Sequence, residues 1–203
     1  SPQCNTSTQR APASNYSFYN MCTIDAHKEA WKLHGQYLRA LMPYSTMSKY
    51  RLLGTGHSGT VWTTQQYQTV FKVFTHKRFE DVSREIVVSQ YVQSILPKRV
   101  IGYTTCHLYN KQVCVAQMDL CTGVDLHDFR VRNMGVTRRL ALRWIKELGT
   151  TLHILHSQNI YHNDVKAENI FICMSALKTE VQAKLIDFEF TSTTTPNLPT
   201  ITS

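Results

Sequence analysis

Asp164, Lys166 and Asn169 bring three polar side chains of different chemistry together in the run His162-Asn163-Asp164-Val165-Lys166-Ala167-Glu168-Asn169-Ile170. The run stands between an apolar helical stretch and Phe171-Ile172-Cys173, so its polar groups sit at the edge of a core. A carboxylate there can take the proton of an attacking hydroxyl. An ammonium can neutralise an anionic group in transfer, and a carboxamide oxygen can hold a hard cation. An ordinary polar turn is the plain alternative. It accounts poorly for Asp187-Phe188-Glu189, a second carboxylate that follows another short apolar run, Lys184-Leu185-Ile186. That carboxylate can bind a divalent cation bridging phosphate oxygens.

Two further features address phosphate. Gly54, Gly56 and Gly59 fall in Gly54-Thr55-Gly56-His57-Ser58-Gly59-Thr60-Val61, where absent side chains let backbone amides approach phosphate oxygens. The pattern alone is not specific, and a simple glycine-rich hairpin shares it. A dinucleotide-binding loop would run from strand into helix. Here Val61-Trp62-Thr63-Thr64 reads as a strand, which fits a strand–loop–strand clamp. Lys72 lies inside the apolar run Thr69-Val70-Phe71-Lys72-Val73-Phe74. A buried cation is costly unless paired, although a lysine on an exposed strand face is the simpler reading. Glu85 is the expected partner, because Ile86 and Val87 beside it should face the core, whereas Glu80-Asp81 reads as solvent-facing charge.

The elements that must position these residues follow from periodicity and punctuation. Residues 1–22 are polar and read as a disordered tail. Residues 23–48 read as a helical extension, with a helix from about Asp25 to Leu41 that Pro43 ends. Trp31, Leu33, Tyr37, Leu38 and Leu41 are expected on its apolar face. Residues 49–118 read as strands at Tyr50–Leu53, Val61–Thr64 and Thr69–Phe74, a helix from Phe79 to Ser94 and strands near 101–109 and 112–118. In residues 119–190, Leu140, Trp144, Leu148, Leu152 and Leu155 mark a helix from about Thr137 to His156, followed by short strands at Ile170–Cys173 and Ala183–Ile186. Residues 191–203 read as a Thr/Pro-rich tail.

Composition bounds the partners. The chain has 203 residues, enough for one domain with a core. Its hydrophobic share of 42% fits a soluble protein, and no apolar run reaches the roughly 20 residues of a membrane span. The formal charge of +8 favours acidic partners. The basic residues are scattered, which argues against a dedicated nucleic-acid surface. Six cysteines without a C-x-x-C pair disfavour a zinc site; they read as free thiols in a reducing, intracellular compartment. The Asn-x-Ser triplets at Asn5 and Asn15 lie in a Ser/Thr/Asn-rich tail where such matches arise by chance.

Taken in order, the glycine-rich loop, strand lysine, helix glutamate, polar loop and Asp187 resemble the eukaryotic-type protein kinase superfamily, in its Ser/Thr branch. The resemblance runs from about Lys49 to Phe190, and joint occurrence in order is far more specific than any one motif. It implies an α+β fold in which a small antiparallel sheet with one helix precedes a mostly helical lobe, with ATP between them. It implies ATP and Mg²⁺ as cofactors and protein hydroxyls as substrates. Asp164 would be the base, Lys166 would neutralise the phosphoryl group, and Lys72, oriented by Glu85, would position phosphates. Asn169 and Asp187 would hold the metal. The resemblance also implies that Val61, Val70 and Phe171 sandwich adenine, and that Met118 stands at the gatekeeper position. Asp119-Leu120-Cys121 would form the hinge, Asp125 would contact ribose, and His162 and Phe188 would belong to the regulatory spine. The lysine two residues after Asp164 is the form usual in Ser/Thr kinases.

The sequence also departs from that pattern. Asn163 replaces an arginine that normally receives an activation-loop phosphate, which implies activity without that modification. Ala167 replaces a common proline, and Glu189 replaces the glycine of D-F-G, adding charge near the metal and removing backbone freedom. Ser89 stands where an apolar spine residue is usual. After Asp187 only a short stretch remains, without the A-P-E motif or the large-lobe helices. A fragment or a natural short form is expected, whose exposed apolar helix face would need a partner protein. Compact loops and the Asp-Val-Lys-Ala-Glu-Asn-Ile-Phe run are similar to herpesvirus-type Ser/Thr kinases. A kinase-like, non-catalytic interaction module is the competing reading. A small-molecule kinase of related fold is disfavoured, since such enzymes commonly lack the lysine at that spacing.

Overall fold

Thr69–Phe74 is built of β-branched and aromatic residues on both faces, and in the computed structural model it is the buried middle strand of a sheet. The structure describes residues 24–42, 46–56, 59–64, 69–74, 79–109, 113–132, 134–174 and 181–194. The expectations for residues 1–22 and 195–203 lie outside them. The chain runs through α1 (Ile24–Leu41), β1 (Tyr50–Gly56), β2 (Gly59–Thr64), β3 (Thr69–Phe74), α2 (Phe79–Ile95), β4 (Val100–Ile101), β5 (Thr105–Tyr109) and β6 (Val113–Asp119). It continues through β7 (Gly123–Asp125), α3 (Leu126–Val131), α4 (Arg138–Ser157), β8 (Ile160–Tyr161), β9 (Ile170–Met174), β10 (Val181–Ile186) and β11 (Ser192–Thr193).

The first sheet has the order β1-β2-β3-β6-β5 and is antiparallel throughout. Alternation along β3 divides its side chains between two cores. Phe71 and Val73 join Leu38, Tyr50, Trp62 and Val115 under α1. Phe74 joins Val82 and Ile86 of α2, with Tyr103, Cys114 and Ala116. Lys72 shares the α2 side by the same alternation. The extension α1 is therefore part of the domain: Tyr50 donates its hydroxyl to the Leu38 carbonyl at 2.9 Å, and Trp31 stands edge-on to the fully buried Trp62.

The helix faces its neighbours differently from the sequence expectation at one residue. Leu33 is 65% exposed, and the buried residues are His34, Gly35 and Leu38. With about 3.6 residues per turn, 31, 34, 35 and 38 share a stripe facing Trp62, and Leu33 falls beside it.

The second half carries a sheet of order β4-β10-β9-β7, with β4 and β10 parallel and the other pairs antiparallel. Helix α4 is capped by Thr137, whose hydroxyl accepts from the Leu140 amide at 3.2 Å. It buries Trp144 and Leu155 against this sheet's cores. Its Leu142 and Ile145 are exposed. The short elements β7, α3, β8 and β11 had no sequence expectation. β11 corrects the reading of residues after 190 as tail: Ser192 pairs with Tyr161 and Thr193 with Ile160, and Thr191 is buried.

Gly123 is where the chain crosses from one half to the other and lies against β9. A Cβ there would stand 1.9 Å from the Ile172 carbonyl oxygen, a contact that backbone cannot relieve by a rotamer change. Gly123→Ala is expected to cost about 3 kcal/mol and to lower the melting temperature by roughly 6–12 °C in thermal unfolding followed by circular dichroism.

Candidate active site

The Lys72 ammonium donates to Glu85 Oε1 at 2.9 Å, and both side chains are buried. Strand β3 presents the lysine and helix α2 the carboxylate, so the pair joins the two elements. Removing one partner of such a pair leaves an uncompensated buried charge and costs about 3–5 kcal/mol. Glu80, the other partner considered from sequence, is exposed. Glu85 Oε1 also accepts from the Tyr103 hydroxyl at 2.6 Å.

Lys72 opens onto a cleft of about 600 Å³. Gly54, Gly59, Val61 and Val70 line one side of it, with Met118, Asp119 and Cys121 where β6 leaves the sheet, and Phe171, Asn169 and Asp187 contributed by the second half. Val70 and Met118 are cross-strand partners, as are Val61 and Lys72; pairing thus fixes which side chains form the cleft wall. Gly56 ends β1 opposite Gly59, and its surroundings lie outside the described residues. Asp125 is not part of the lining: its carboxylate accepts from the Asp128 amide at 2.8 Å and caps α3.

Asp164 is tied to the cleft through Asn169, whose side-chain nitrogen donates to the Asp164 carbonyl at 2.9 Å and to Oδ2 at 2.8 Å. With its N–H groups engaged there, the buried Asn169 keeps its carboxamide oxygen as a ligand for a hard cation. Lys166 donates to Asp164 Oδ2 at 2.7 Å. That bond holds the Asp164 carboxyl below the usual carboxylate range and raises the Lys166 ammonium; both stay charged at neutral pH. Asp187 adopts φ +62°, a left-handed conformation that aspartate tolerates better than most residues. Its Oδ1 accepts from the Glu189 amide at 3.3 Å.

Among the described residues no three His, Cys, Asp or Glu side chains group to hold a metal by themselves. One carboxylate and one carboxamide facing the same cleft fit a cation that completes its shell with phosphate oxygens and water.

His162 and Asn163 brace this loop. His162 is buried; its Nε2 lies 3.0 Å from the Ile186 carbonyl, and its Nδ1 accepts from the Asp164 amide at 3.3 Å. Both bonds together require the neutral ring with its proton on Nε2. Asn163, at φ +63°, donates to the Phe190 carbonyl at 3.0 Å and to Ser192 Oγ at 2.9 Å. The left-handed backbone suits asparagine. A neutral amide therefore fastens the loop to the segment after Asp187.

Two features escaped the sequence reading. Tyr103 has no motif around it that could have flagged it. Cys121 and Cys173 form a disulfide with Cα atoms 6.0 Å apart, between the end of the first sheet and β9. This corrects the expectation of free thiols throughout. The pairing depends on β7 and β9 folding back on each other, and sequence spacing carries no sign of that. Cys106 and Cys114 are free, with sulfurs 3.0 Å apart.

A glycine-bearing strand pair, a paired lysine, a polar loop and a second carboxylate thus border one cleft. The family described as protein kinase domain matches residues 47–202, and the chain belongs to it. A mitogen-activated protein kinase kinase kinase, dlk-1, from Caenorhabditis elegans is 26% identical over 72% of this chain and 15% of its own length. Calcium-dependent protein kinase 3 from Plasmodium yoelii yoelii is 28% identical over 67% of this chain and 26% of its own. The serine/threonine-protein kinase kin-29 from Caenorhabditis elegans is 27% identical over 55% and 12%. The chain thus spans about a quarter or less of the length of these relatives. No helix among the described residues is long and apolar enough to cross a membrane.

Burial holds the His162 imidazole below its ordinary titration range. A histidine with a depressed folded value contributes its full stability above the unfolded value of about 6.5 and loses it as pH falls toward the folded value. A proton on Nδ1 would also remove the acceptor for the Asp164 amide. In an NMR titration His162 should protonate below pH ~6.5, with the Asp164 amide resonance moving at the same midpoint.

Proposed function

We propose that this chain is the ATP-binding and catalytic portion of a serine/threonine protein kinase, moving the γ-phosphoryl group of ATP-Mg to a protein hydroxyl. The carrying observation is that Lys72, Asn169 and Asp187, far apart in sequence, line one cleft, with Asp164 hydrogen-bonded to Asn169. Ser/Thr preference is supported by Lys166 two residues after Asp164 and by relatives described as serine/threonine kinases.

In this reading Val61, Val70 and Phe171 enclose adenine, Met118 stands behind it, and Asp119 to Cys121 offer backbone groups to its edge. Gly54, Gly56 and Gly59 admit the phosphates beneath the β1–β2 turn. Lys72, held by Glu85, contacts the non-transferred phosphates. Asn169 and Asp187 would hold Mg²⁺, which neutralises phosphate charge when bound. Asp164, held in its charged form by the Lys166 bond, accepts the hydrogen bond of the incoming hydroxyl and takes its proton as the phosphoryl group transfers. Lys166 lies beside Asp164 to stabilise charge on the transferring group. Asp125 would contact ribose while its Oδ1 caps α3.

Purified protein incubated with labelled ATP, Mg²⁺ and a generic basic protein should incorporate label. Lys72→Met and Asp164→Ala should each lower the rate by at least about 100-fold. Asp187→Asn should abolish the Mg²⁺ dependence of nucleotide binding in calorimetry; retention of that dependence would remove its metal role. Because Asn163 makes the contacts that a phosphate-binding arginine would otherwise organise, phosphatase pretreatment should leave the rate within about twofold.

A non-catalytic interaction module is the second reading. Glu189 in the place of a glycine and the exposed Leu142 and Ile145 of α4 support it, since that face suits a partner protein. Nucleotide binding without label transfer would favour it. A viral, herpesvirus-like origin is a finer proposal, supported by the compact loops and by the residues around Asp164.

A further inference from the structure

We propose that Tyr103 is a positioning residue for Lys72, and that helix α2 is fastened to the sheet by a polar seam of which Tyr103 is the centre. The inference rests on the reading that Lys72 contacts nucleotide phosphates.

Tyr103 lies between β4 and β5, 6% exposed. Its hydroxyl donates to Glu85 Oε1 at 2.6 Å, the same oxygen that accepts from Lys72 at 2.9 Å. A short hydrogen bond to a carboxylate is among the stronger ones available to a neutral donor. Two donors converging on one oxygen fix the carboxylate rotamer, and with it the direction in which the ammonium points. Burial and the adjoining Glu85 carboxylate push the Tyr103 hydroxyl well above its ordinary titration range, so it stays a donor. The Lys72 ammonium also sits 5.8 Å from the centre of the Tyr103 ring and 4.8 Å from that of Phe74, within cation–π reach.

The backbone around Tyr103 is gripped by the same helix. Its amide donates to Ser89 Oγ at 3.0 Å, and the Gly102 amide donates to Gln93 Oε1 at 2.8 Å. Gln90 reaches the Thr104 carbonyl at 3.5 Å. Glu85, Ser89 and Gln93 recur every four residues and so share one face of α2. That face lies so close that a Cβ on Gly102 would stand 2.5 Å from the Ser89 carbonyl oxygen. The seam accounts for the serine found where the resemblance expects an apolar residue: Ser89 is buried, and its hydroxyl satisfies a buried amide that leucine would leave unpaired. Helix α2 is thus held with Glu85 facing Lys72 by directional bonds.

The test compares the unaltered chain with Tyr103→Phe, which keeps the ring and loses one hydroxyl, and with Ser89→Ala. Calorimetry with ATP-Mg and with adenosine separates phosphate contacts from base contacts. Tyr103→Phe should weaken ATP-Mg about tenfold or more, as expected for one lost hydrogen bond to a charged group, and leave adenosine affinity within about twofold. Amides of residues 85–93 should exchange about fivefold or more faster with deuterium in both variants, with the rest of the sheet unchanged. Unchanged ATP affinity overturns the positioning role, and so does an equal loss of ATP and adenosine affinity, which marks a merely structural tyrosine. Unchanged exchange in α2 overturns the seam. If the unaltered chain binds neither ligand, it is the kinase reading that fails, and the exchange rates still decide the seam.

Discussion

A buried ammonium and a buried carboxylate cannot be placed independently. Each is tolerated in a low-dielectric interior only because the other is within hydrogen-bonding distance. The contact between Lys72 and Glu85 therefore sets the position of α2 on the first sheet. It requires β3 to be central, so that the lysine is covered, and it requires the helix to present a face that is partly polar. Ser89 and Gln93 on that face follow from the same requirement. So does Gly102, which lets the chain run against the helix backbone.

The second half is organised by a different rule, the need to satisfy every polar group of a tight loop at the edge of a core. His162 serves the Ile186 carbonyl and the Asp164 amide, Asn169 serves Asp164 twice, and Asn163 serves the segment that follows Asp187. The three non-glycine residues at positive φ among those described are Asn159, Asn163 and Asp187, side chains that tolerate this region with least cost. Polar side chains here hold the backbone as well as supply chemistry.

Much of this was legible in the sequence where signals are local. The run of β3, the four-residue steps of α4 and the order of the motifs gave the elements and the cleft residues close to where they lie. Lys72 with Glu85 could be read because a cation in an apolar strand demands a partner. What could not be read depends on contacts between distant segments. The role of Tyr103 arises from a turn meeting a helix, and the Cys121–Cys173 bond from β7 folding onto β9. The strand β11 has two residues, too few for any periodicity. Leu33 shows the opposite case, in which hydrophobicity alone assigned a residue to a face that helical geometry denies it. Asp125 was placed by resemblance at the ribose, and its capping of α3 is a second role that the sequence did not show.

The fastening of the polar loop by Asn163 has a physical corollary. An arginine clasping a phosphate is an ion pair whose strength varies with ionic strength and with the charge state of the phosphate. The groups joined by Asn163 are a carboxamide, a carbonyl and a hydroxyl, none of which titrates in the physiological range or attracts counterions. The latch is weaker than a guanidinium–phosphate clasp but indifferent to added salt and to acidity, so the geometry around Asp164 is supported by a bond the surrounding medium has no means of tuning.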